Sequence, residues 1–204
     1  MPRRHTVFLQ GNYYHIYNRG ANKQKIFYET DNYVFFLSRL KKYTIQYAIR
    51  VIAYCLMPNH FHLLLRIDGD HGLSRCLSQL LNAYVKAMNK KYGRTGPLFS
   101  DRFKSILVEK NNYLIHLCRY IHLNPLTAGL VTDLENWPFS NYLEFIGKRN
   151  GVLYDASFRN SNFQNHDGYK EFVIDDTAKP PKDFGRFTLG AEPTPRGVTR
   201  GNFS

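Results

Sequence analysis

The segment that most constrains the fold is MPNHFHLLL, residues 57–65, where a proline–asparagine turn is followed directly by an apolar run. Side chains alternate between the two faces of a β-strand, so His60 and His62 share one face and Phe61 points the opposite way. Two imidazoles at this spacing have backbones roughly 6.5–7 Å apart, which lets both lean onto one metal ion. A chain of this length with eight histidines contains such a pair by chance in about one case in three, so the spacing alone is a weak signal. The segment therefore predicts a hairpin strand that carries either a metal or catalytic site or two ordinary histidines.

The charge of the chain indicates the class of its partner. Lysine and arginine number 28 against 16 aspartates and glutamates, a formal net charge of +12, and the chain also contains 15 tyrosines and 15 phenylalanines. A basic, aromatic-rich composition favours nucleic acid as the polyanionic partner. An anionic membrane is the alternative, but no stretch resembles a basic amphipathic anchor helix and no apolar run approaches the ~18–20 residues of a membrane span. We therefore expect a nucleic-acid partner and no membrane.

The length suggests one domain, or one domain with an appendage, and the cysteine use suggests a reducing compartment. The three cysteines, Cys55, Cys76 and Cys118, are odd in number, scattered, and share no metal-ligand spacing. They are typical of reduced core residues in a cytoplasmic protein. The basic N-terminus has no apolar signal-peptide segment behind it, which agrees with a cytoplasmic location.

The hydrophobic periodicity predicts the element order strand, helix, strand, strand, helix, strand, helix. The predicted strands cover 11–19, 49–56, 60–67 and 99–108, and the predicted helices cover 31–47, 73–92 and 112–124. On the first helix we expect Val34, Leu37, Leu40 and Ile45 to face inward, and we expect the third helix to end before Pro125. This order is a split β-α-β pattern. It predicts an α+β fold of the ferredoxin-like kind, an antiparallel sheet with helices packed on one face.

The third predicted helix has two distinct faces. Its apolar stripe, suited to packing on the sheet, consists of Leu114, Leu117, Cys118 and Ile121. His116, Tyr120 and Asn124 are spaced i, i+4, i+8 and therefore lie along one line of the helix surface. A tyrosine at a helix edge is usually part of ordinary amphipathic packing, so the spacing alone leaves a functional and a structural interpretation open.

Together these segments resemble a known family. The run MPNHFH, residues 57–62, is followed about sixty residues later by YIHLNP, residues 120–125. This order resembles the HUH single-tyrosine transposases, and most closely the REP-associated tyrosine transposase branch of the insertion-sequence transposase-like proteins. Supporting matches are HIYNRG at 15–20, GPLF at 96–99, RFKS at 102–105 and WPFS at 137–140. The resemblance covers roughly residues 10–145.

The resemblance implies a metal-dependent active site. His60 and His62 would bind a divalent ion and Tyr120 would be the nucleophile. Incompletely filled, oxygen-rich coordination suits Mg²⁺ or Mn²⁺, although His-x-His alone would equally suit Zn²⁺. Asn124 falls where related transposases place a third, amide-type ligand, usually glutamine. The implied activity is cleavage and transfer of single-stranded DNA near a hairpin, with a 5′-phosphotyrosine intermediate, a free 3′-hydroxyl and no nucleotide cofactor.

The first strand and the segment before the fourth strand offer contacts to DNA. The tyrosines of the first strand, Tyr13, Tyr14 and Tyr17, would stack on unpaired bases. The polar and basic contacts to the strand would come from Asn18, Arg19, Arg102 and Lys104. Each has a structural alternative, as a core residue or an ordinary surface cation. The expected partner is single-stranded or hairpin DNA, bound by a monomer or a homodimer.

We expect a transposase-like catalytic domain at residues 1–150, a C-terminal extension at 151–177 with a helix near 165–173, and a flexible basic tail at 178–204. Two other functions remain open. The first is a non-catalytic hairpin-binding protein derived from a transposase. The second is a metal-dependent hydrolase in which water is the nucleophile and Tyr120 has only a packing role. Formation of a covalent protein–DNA adduct separates the transposase from both.

Overall fold

The structure is a computed structural model that describes residues 7–70, 72–182 and 184–188. Its strands are β1 (Tyr13–Arg19), β2 (Ile49–Met57), β3 (His60–Ile67) and β4 (Lys104–Val108). Its α-helices are α1 (Thr30–Gln46), α2 (Leu73–Lys91), α3 (Asn111–Thr127), α4 (Tyr142–Phe145), α5 (Ala156–Asn162) and α6 (His166–Ile174). Short 3₁₀ turns occur at Ala21–Lys23, Leu134–Asn136 and Phe184–Phe187.

The strands form one sheet in the order β2-β3-β1-β4, and every neighbouring pair is antiparallel. The chain order β1-α1-β2-β3-α2-β4 with this sheet order is the ferredoxin-like arrangement, so the predicted fold class is confirmed. The register of the central pair β1 and β3 sets Tyr17 opposite His62 and Arg19 opposite His60. The histidine pair therefore lies on an inner strand, near one end of the sheet.

Helices cover both faces of this sheet. α1 and α2 pack on one face, over a core that includes Ile16 and Phe61. α3 packs on the opposite face, over a second core that includes Cys55 and Leu64. The expectation that the helices pack on one face is therefore correct for α1 and α2 and needs correction for α3. The apolar stripe of α3 requires a partner surface, and the second face of the sheet supplies it.

The inward face of α1 differs from the prediction. Leu40 is buried as expected, but Val34 is 56% exposed and Ile45 is 70% exposed. Tyr33 and Phe36 are buried in their place. These large rings fill the space above the sheet, so the buried stripe of the helix is rotated relative to the one that the aliphatic residues suggested.

Helix α3 continues past the residue that was predicted to end it. Pro125 lies inside α3, which reaches Thr127. A proline removes only one backbone donor, and the backbone bonds resume beyond it, with the Ala128 amide donating to the Asn124 carbonyl 2.9 Å away. Tyr120 and Asn124 therefore lie on one continuous helix, one turn apart.

Strand β4 is shorter than predicted and begins at Lys104. Phe99 makes only an isolated bridge to Gly20, and residues 100–102 bend before the strand starts. The three cysteines are buried free thiols, as expected.

The C-terminal region adds to the second core. α6 is the helix predicted near 165–173, whereas α5 was not predicted. Tyr169 of α6 and Phe187 are fully buried in the same core as α3. The remainder of the predicted tail, residues 189–204, lies outside the described residues. Among the helices that the structure describes, none is long and apolar enough to cross a membrane.

Candidate active site

The two histidines of β3 point toward α3. His62 is fully buried and His60 is partly buried. Their ring centroids are 5.1 Å apart, with ring planes at 85°. Phe61, between them, enters the core under α1 and α2. Strand alternation therefore delivers both imidazoles to the same face of the sheet.

Helix α3 brings Tyr120 to the same place. The buried stripe that fixes this helix on the sheet consists of Leu114, Leu117, Cys118 and Ile121. The ring centroid of Tyr120 lies 5.4 Å from that of His62, in an edge-to-face arrangement. Tyr120 is only partly buried, so the phenol beside the histidine pair is accessible from solvent.

Asn124 lies one turn beyond Tyr120 on α3 and is the third candidate metal ligand, after His60 and His62. Its side-chain nitrogen donates to the Tyr120 carbonyl, and its side chain also lies within hydrogen-bonding reach of His60. The other side of His60 is occupied, because its Nδ1 lies 2.7 Å from Oδ1 of Asn59. In neutral His60 the Nδ1–H donates to Asn59, so Nε2 carries the lone pair that a metal ion would bind.

Burial keeps both histidines neutral at physiological pH. It lowers the pKa of His60 to about 4, against an opposing contribution from the Asn124 hydrogen bond and with further lowering by the charge of Arg19. Burial also holds the pKa of His62 well below its usual range, and the nearby imidazoles of His15 and His60 lower it further. A neutral imidazole retains a lone pair, and this is the form that binds metal ions.

His62 presents a nitrogen without a partner to this site. Its Nδ1 lies 3.0 Å from Nε2 of His15, but its own Nε2 has no hydrogen-bond partner among the described residues. A buried polar atom without a partner is costly unless something else binds it. Within the described ranges, no group of three or more His, Cys, Asp or Glu side chains could hold a metal. Two imidazoles and one amide fit a divalent ion that keeps positions open for phosphate oxygens.

Several of the predicted DNA-contacting residues lie around the histidine pair. The ring centroid of Tyr17 is 6.0 Å from that of His62, and the pKa of Tyr17 is raised by burial and then by Tyr120. Lys104 is the partner of Tyr17 across the β1–β4 pairing and is exposed. Arg19, partly buried, is the last residue of β1 and lies opposite the first residue of β3.

Two other assignments on β1 need correction. Tyr14 is buried in the core under α1 and α2, and its hydroxyl bonds the backbone of residues 7 and 9. Asn18 is also buried, where its side-chain nitrogen donates to the Asp101 carbonyl. Alternation along β1 turns both side chains away from the histidine face, so neither reaches the site.

Arg102 is exposed in the bend before β4, and its backbone amide donates to the Asp101 carboxylate.

A cleft of about 390 Å³ opens along the outer side of α3, and its lining includes His116, Tyr120, Asn124 and Phe184. The line of residues predicted from their i, i+4, i+8 spacing is therefore one wall of this cleft. Phe184 packs 6.2 Å from Tyr120, ring centroid to ring centroid. Phe184 could not be predicted, because it lies in a stretch of the sequence without periodicity. His15 had a usable signal, since it is two residues from Tyr17 on the same strand face.

The comparison with protein families decides what kind of protein this is. The model of the IS200-like transposases matches residues 9–124, a range that covers more than half of the chain and includes His60, His62, Tyr120 and Asn124. The chain belongs to the IS200-like transposase family. The resemblance read from the sequence motifs is thereby confirmed.

Individual relatives agree with this family. A Haemophilus influenzae protein named as a candidate REP-associated tyrosine transposase is 26% identical over 126 residues, which are 56% of this chain and 71% of that protein. The solved structure of a REP-associated tyrosine transposase bound to a REP hairpin aligns with a TM-score of 0.62 and 17% identity, covering 76% of this chain and 94% of that one. At this identity, the structural likeness establishes that the IS200-like transposase described here has the same fold.

Proposed function

We propose that this transposase is a metal-dependent endonuclease and strand transferase for single-stranded DNA, cutting near hairpins through a 5′-phosphotyrosine. The observation that supports it most is the ring of Tyr120 packed 5.4 Å from His62 while Asn124, one turn further on, contacts His60. A nucleophile and three side chains of metal-ligand type thus converge from α3 and β3. The transposase family and the hairpin-bound structural relative agree with a DNA substrate.

Tyr120 is the nucleophile in this proposal. Its phenolic oxygen attacks the scissile phosphorus, and the bond between phosphorus and the 3′ oxygen breaks. The phenolic proton goes to solvent, and the departing 3′ oxygen takes up a proton to become a hydroxyl. The phosphate remains esterified to the tyrosine, so a second 3′-hydroxyl can reverse the step and join new strands.

His60, His62 and Asn124 hold the metal ion, Mg²⁺ or Mn²⁺. When bound, the ion withdraws charge from the phosphate oxygens and orients the scissile group. The protein supplies neutral nitrogens, because burial suppresses protonation of both imidazoles. Arg19 and Lys104 flank the site and would hold the phosphates of the incoming strand.

The test is trapping of the covalent intermediate. A labelled hairpin oligonucleotide with a single-stranded flank is incubated with the full chain and Mn²⁺, and we expect an adduct that resists denaturant and is joined through the 5′-phosphate. Tyr120→Phe removes only the attacking oxygen, so DNA binding persists while adduct and cleavage disappear. Tyr17→Phe is the matched control, because it removes a second phenol beside His62 and should leave the adduct intact.

Three other results of this experiment would each contradict the proposal in a different way. If the Tyr120→Phe variant still cleaves the oligonucleotide, water is the nucleophile and the protein is a hydrolase. A wild type that binds hairpins tightly and never cleaves them is a binding protein. Loss of the adduct in Tyr17→Phe alone moves the nucleophile from α3 to β1.

A further inference from the structure

His15 lies directly behind the proposed metal ligands. Its Nε2 is 3.0 Å from Nδ1 of His62, and the two rings are nearly parallel, with centroids 5.1 Å apart and planes at 19°. Both residues are fully buried. The sheet enforces this contact, because His15 is two residues from Tyr17 on β1 and Tyr17 is the register partner of His62. The position of the His15 ring is therefore set by strand pairing.

The direction of this hydrogen bond decides what His62 can bind. Between two neutral imidazoles, one ring donates an N–H and the other accepts it. If Nδ1 of His62 donates to His15, the lone pair of His62 lies on Nε2, the atom without a partner among the described residues. Each direction leaves one buried ring N–H without an acceptor among the described residues, on Nδ1 of His15 in the first case and on Nε2 of His62 in the second. Only the first direction makes His62 a ligand.

His60 is held in the same way. Its Nδ1 is 2.7 Å from Oδ1 of Asn59, and an amide oxygen only accepts, so the His60 nitrogen donates. The Nε2 of His60 then carries the lone pair. Both members of the pair are thus tied to a second residue through Nδ1, and both keep Nε2 for the site.

A third fully buried histidine shows the contrast. His122 has partners at both ring nitrogens, with Nδ1 bonded to the Tyr169 hydroxyl and Nε2 to the Asn141 side chain. A histidine that serves only packing is thus fully satisfied in this fold. The His15–His62 pair leaves an atom without a partner on each residue, in a part of the molecule where that is costly.

We propose that His15 is a positioning residue, which fixes the ring orientation and tautomer of His62 so that Nε2 of His62 faces the metal. This inference rests on the proposed metal-dependent function and names a residue that prepares its site. Partners of this kind typically raise metal affinity by about 10–100-fold.

Metal affinity tests the role directly. Mn²⁺ binding to the full chain is measured by titration calorimetry for the wild type, His15→Phe and His15→Gln. Phenylalanine keeps a ring of similar volume and removes the acceptor, so we expect Kd to rise by about 10–100-fold. Glutamine retains an acceptor and should recover most of the affinity. Ile106→Val, at the position opposite His15 on β4, controls for packing and should change nothing.

Unchanged Mn²⁺ affinity in a folded His15→Phe variant overturns the proposal, as does an equal loss in Ile106→Val. A second measurement does not depend on the folding of any variant. Long-range ¹H–¹⁵N spectra of the metal-free wild type should show the ring hydrogen of His62 on Nδ1. A hydrogen on Nε2 contradicts the role of His15 alone, whereas a wild type that binds no Mn²⁺ contradicts the proposed function itself.

Discussion

Single residues in this protein owe much of their chemistry to burial. His60 and His122 both have pKa values lowered to about 4, and in both cases the main cause is loss of solvent around the charged form. The consequences differ because the surroundings differ. Both ring nitrogens of His122 have hydrogen-bond partners, whereas His60 lies beside the Asn124 side chain in the proposed metal site.

At the scale of single residues, the metal hypothesis predicts that removing one ligand abolishes cleavage. His60→Ala should abolish Mn²⁺-dependent cleavage of a hairpin while the protein still folds, because His60 is only partly buried and Phe61 anchors the strand. His116→Ala is the control, since His116 lies on the same line of α3 as Tyr120 but outside the histidine pair. Cleavage is followed on gels after treatment with chelator and after addition of Mn²⁺. Full activity in chelator, or equal loss in both variants, contradicts the metal assignment.

The buried His122 predicts how stability depends on pH. An unfolded histidine takes up a proton below its ordinary pKa of 6.5, but folded His122 does so only near 4. Unfolding therefore binds a proton between these values, and the free energy of unfolding falls as pH is lowered. Between pH 7 and pH 5 this one residue should contribute a loss of about 2 kcal/mol.

Urea denaturation of the metal-free protein at both pH values measures this loss. In His122→Gln, which has no titrating group at that position, the difference between pH 7 and pH 5 should shrink by about the same amount. An unchanged difference in the variant would show that His122 does not account for the pH dependence.

At the scale of elements, the sequence predicted what depends on local periodicity. The strands β1, β2 and β3 and the helix α2 follow patterns that are complete within each segment. The errors arose where a second apolar stripe competed, as on α1, or where the helix continued through a proline, as at Pro125. α5 is only seven residues long and mostly polar, so it has no periodic signal.

The candidate site was predictable to the same extent. The alternation of β3 and the spacing of α3 each place their own residues correctly on one face. Which face of β1 meets them depends on its register with β3. Alternation alone, however, separates Tyr14 and Asn18 from Tyr17 and places His15 beside it. The predicted DNA contacts included residues from both faces of β1, which is why Tyr14 and Asn18 were assigned to the site.

At the scale of the whole molecule, the net charge of +12 does not identify the side that binds DNA. Basic residues occur on both sides of the sheet. Lys42 is exposed on α1, on the face away from the histidines, and Lys104 is exposed beside Tyr17 on the other side. The position of the proposed active site favours the side of α3.

Salt dependence of DNA binding tests this choice of side. Affinity for a hairpin with a single-stranded flank should fall steeply with salt, by roughly 0.7–0.9 log units per log unit of salt for each phosphate contact. Lys104→Ala should reduce that slope by about one contact, and Lys42→Ala, the matched control, should leave it unchanged. Fluorescence anisotropy over a salt series measures the slopes, with plain duplex and unstructured strand as competitors. A reduced slope in Lys42→Ala alone would place the DNA on the α1–α2 side, and equal affinity for all three DNAs at about 150 mM salt would remove the preference for hairpins.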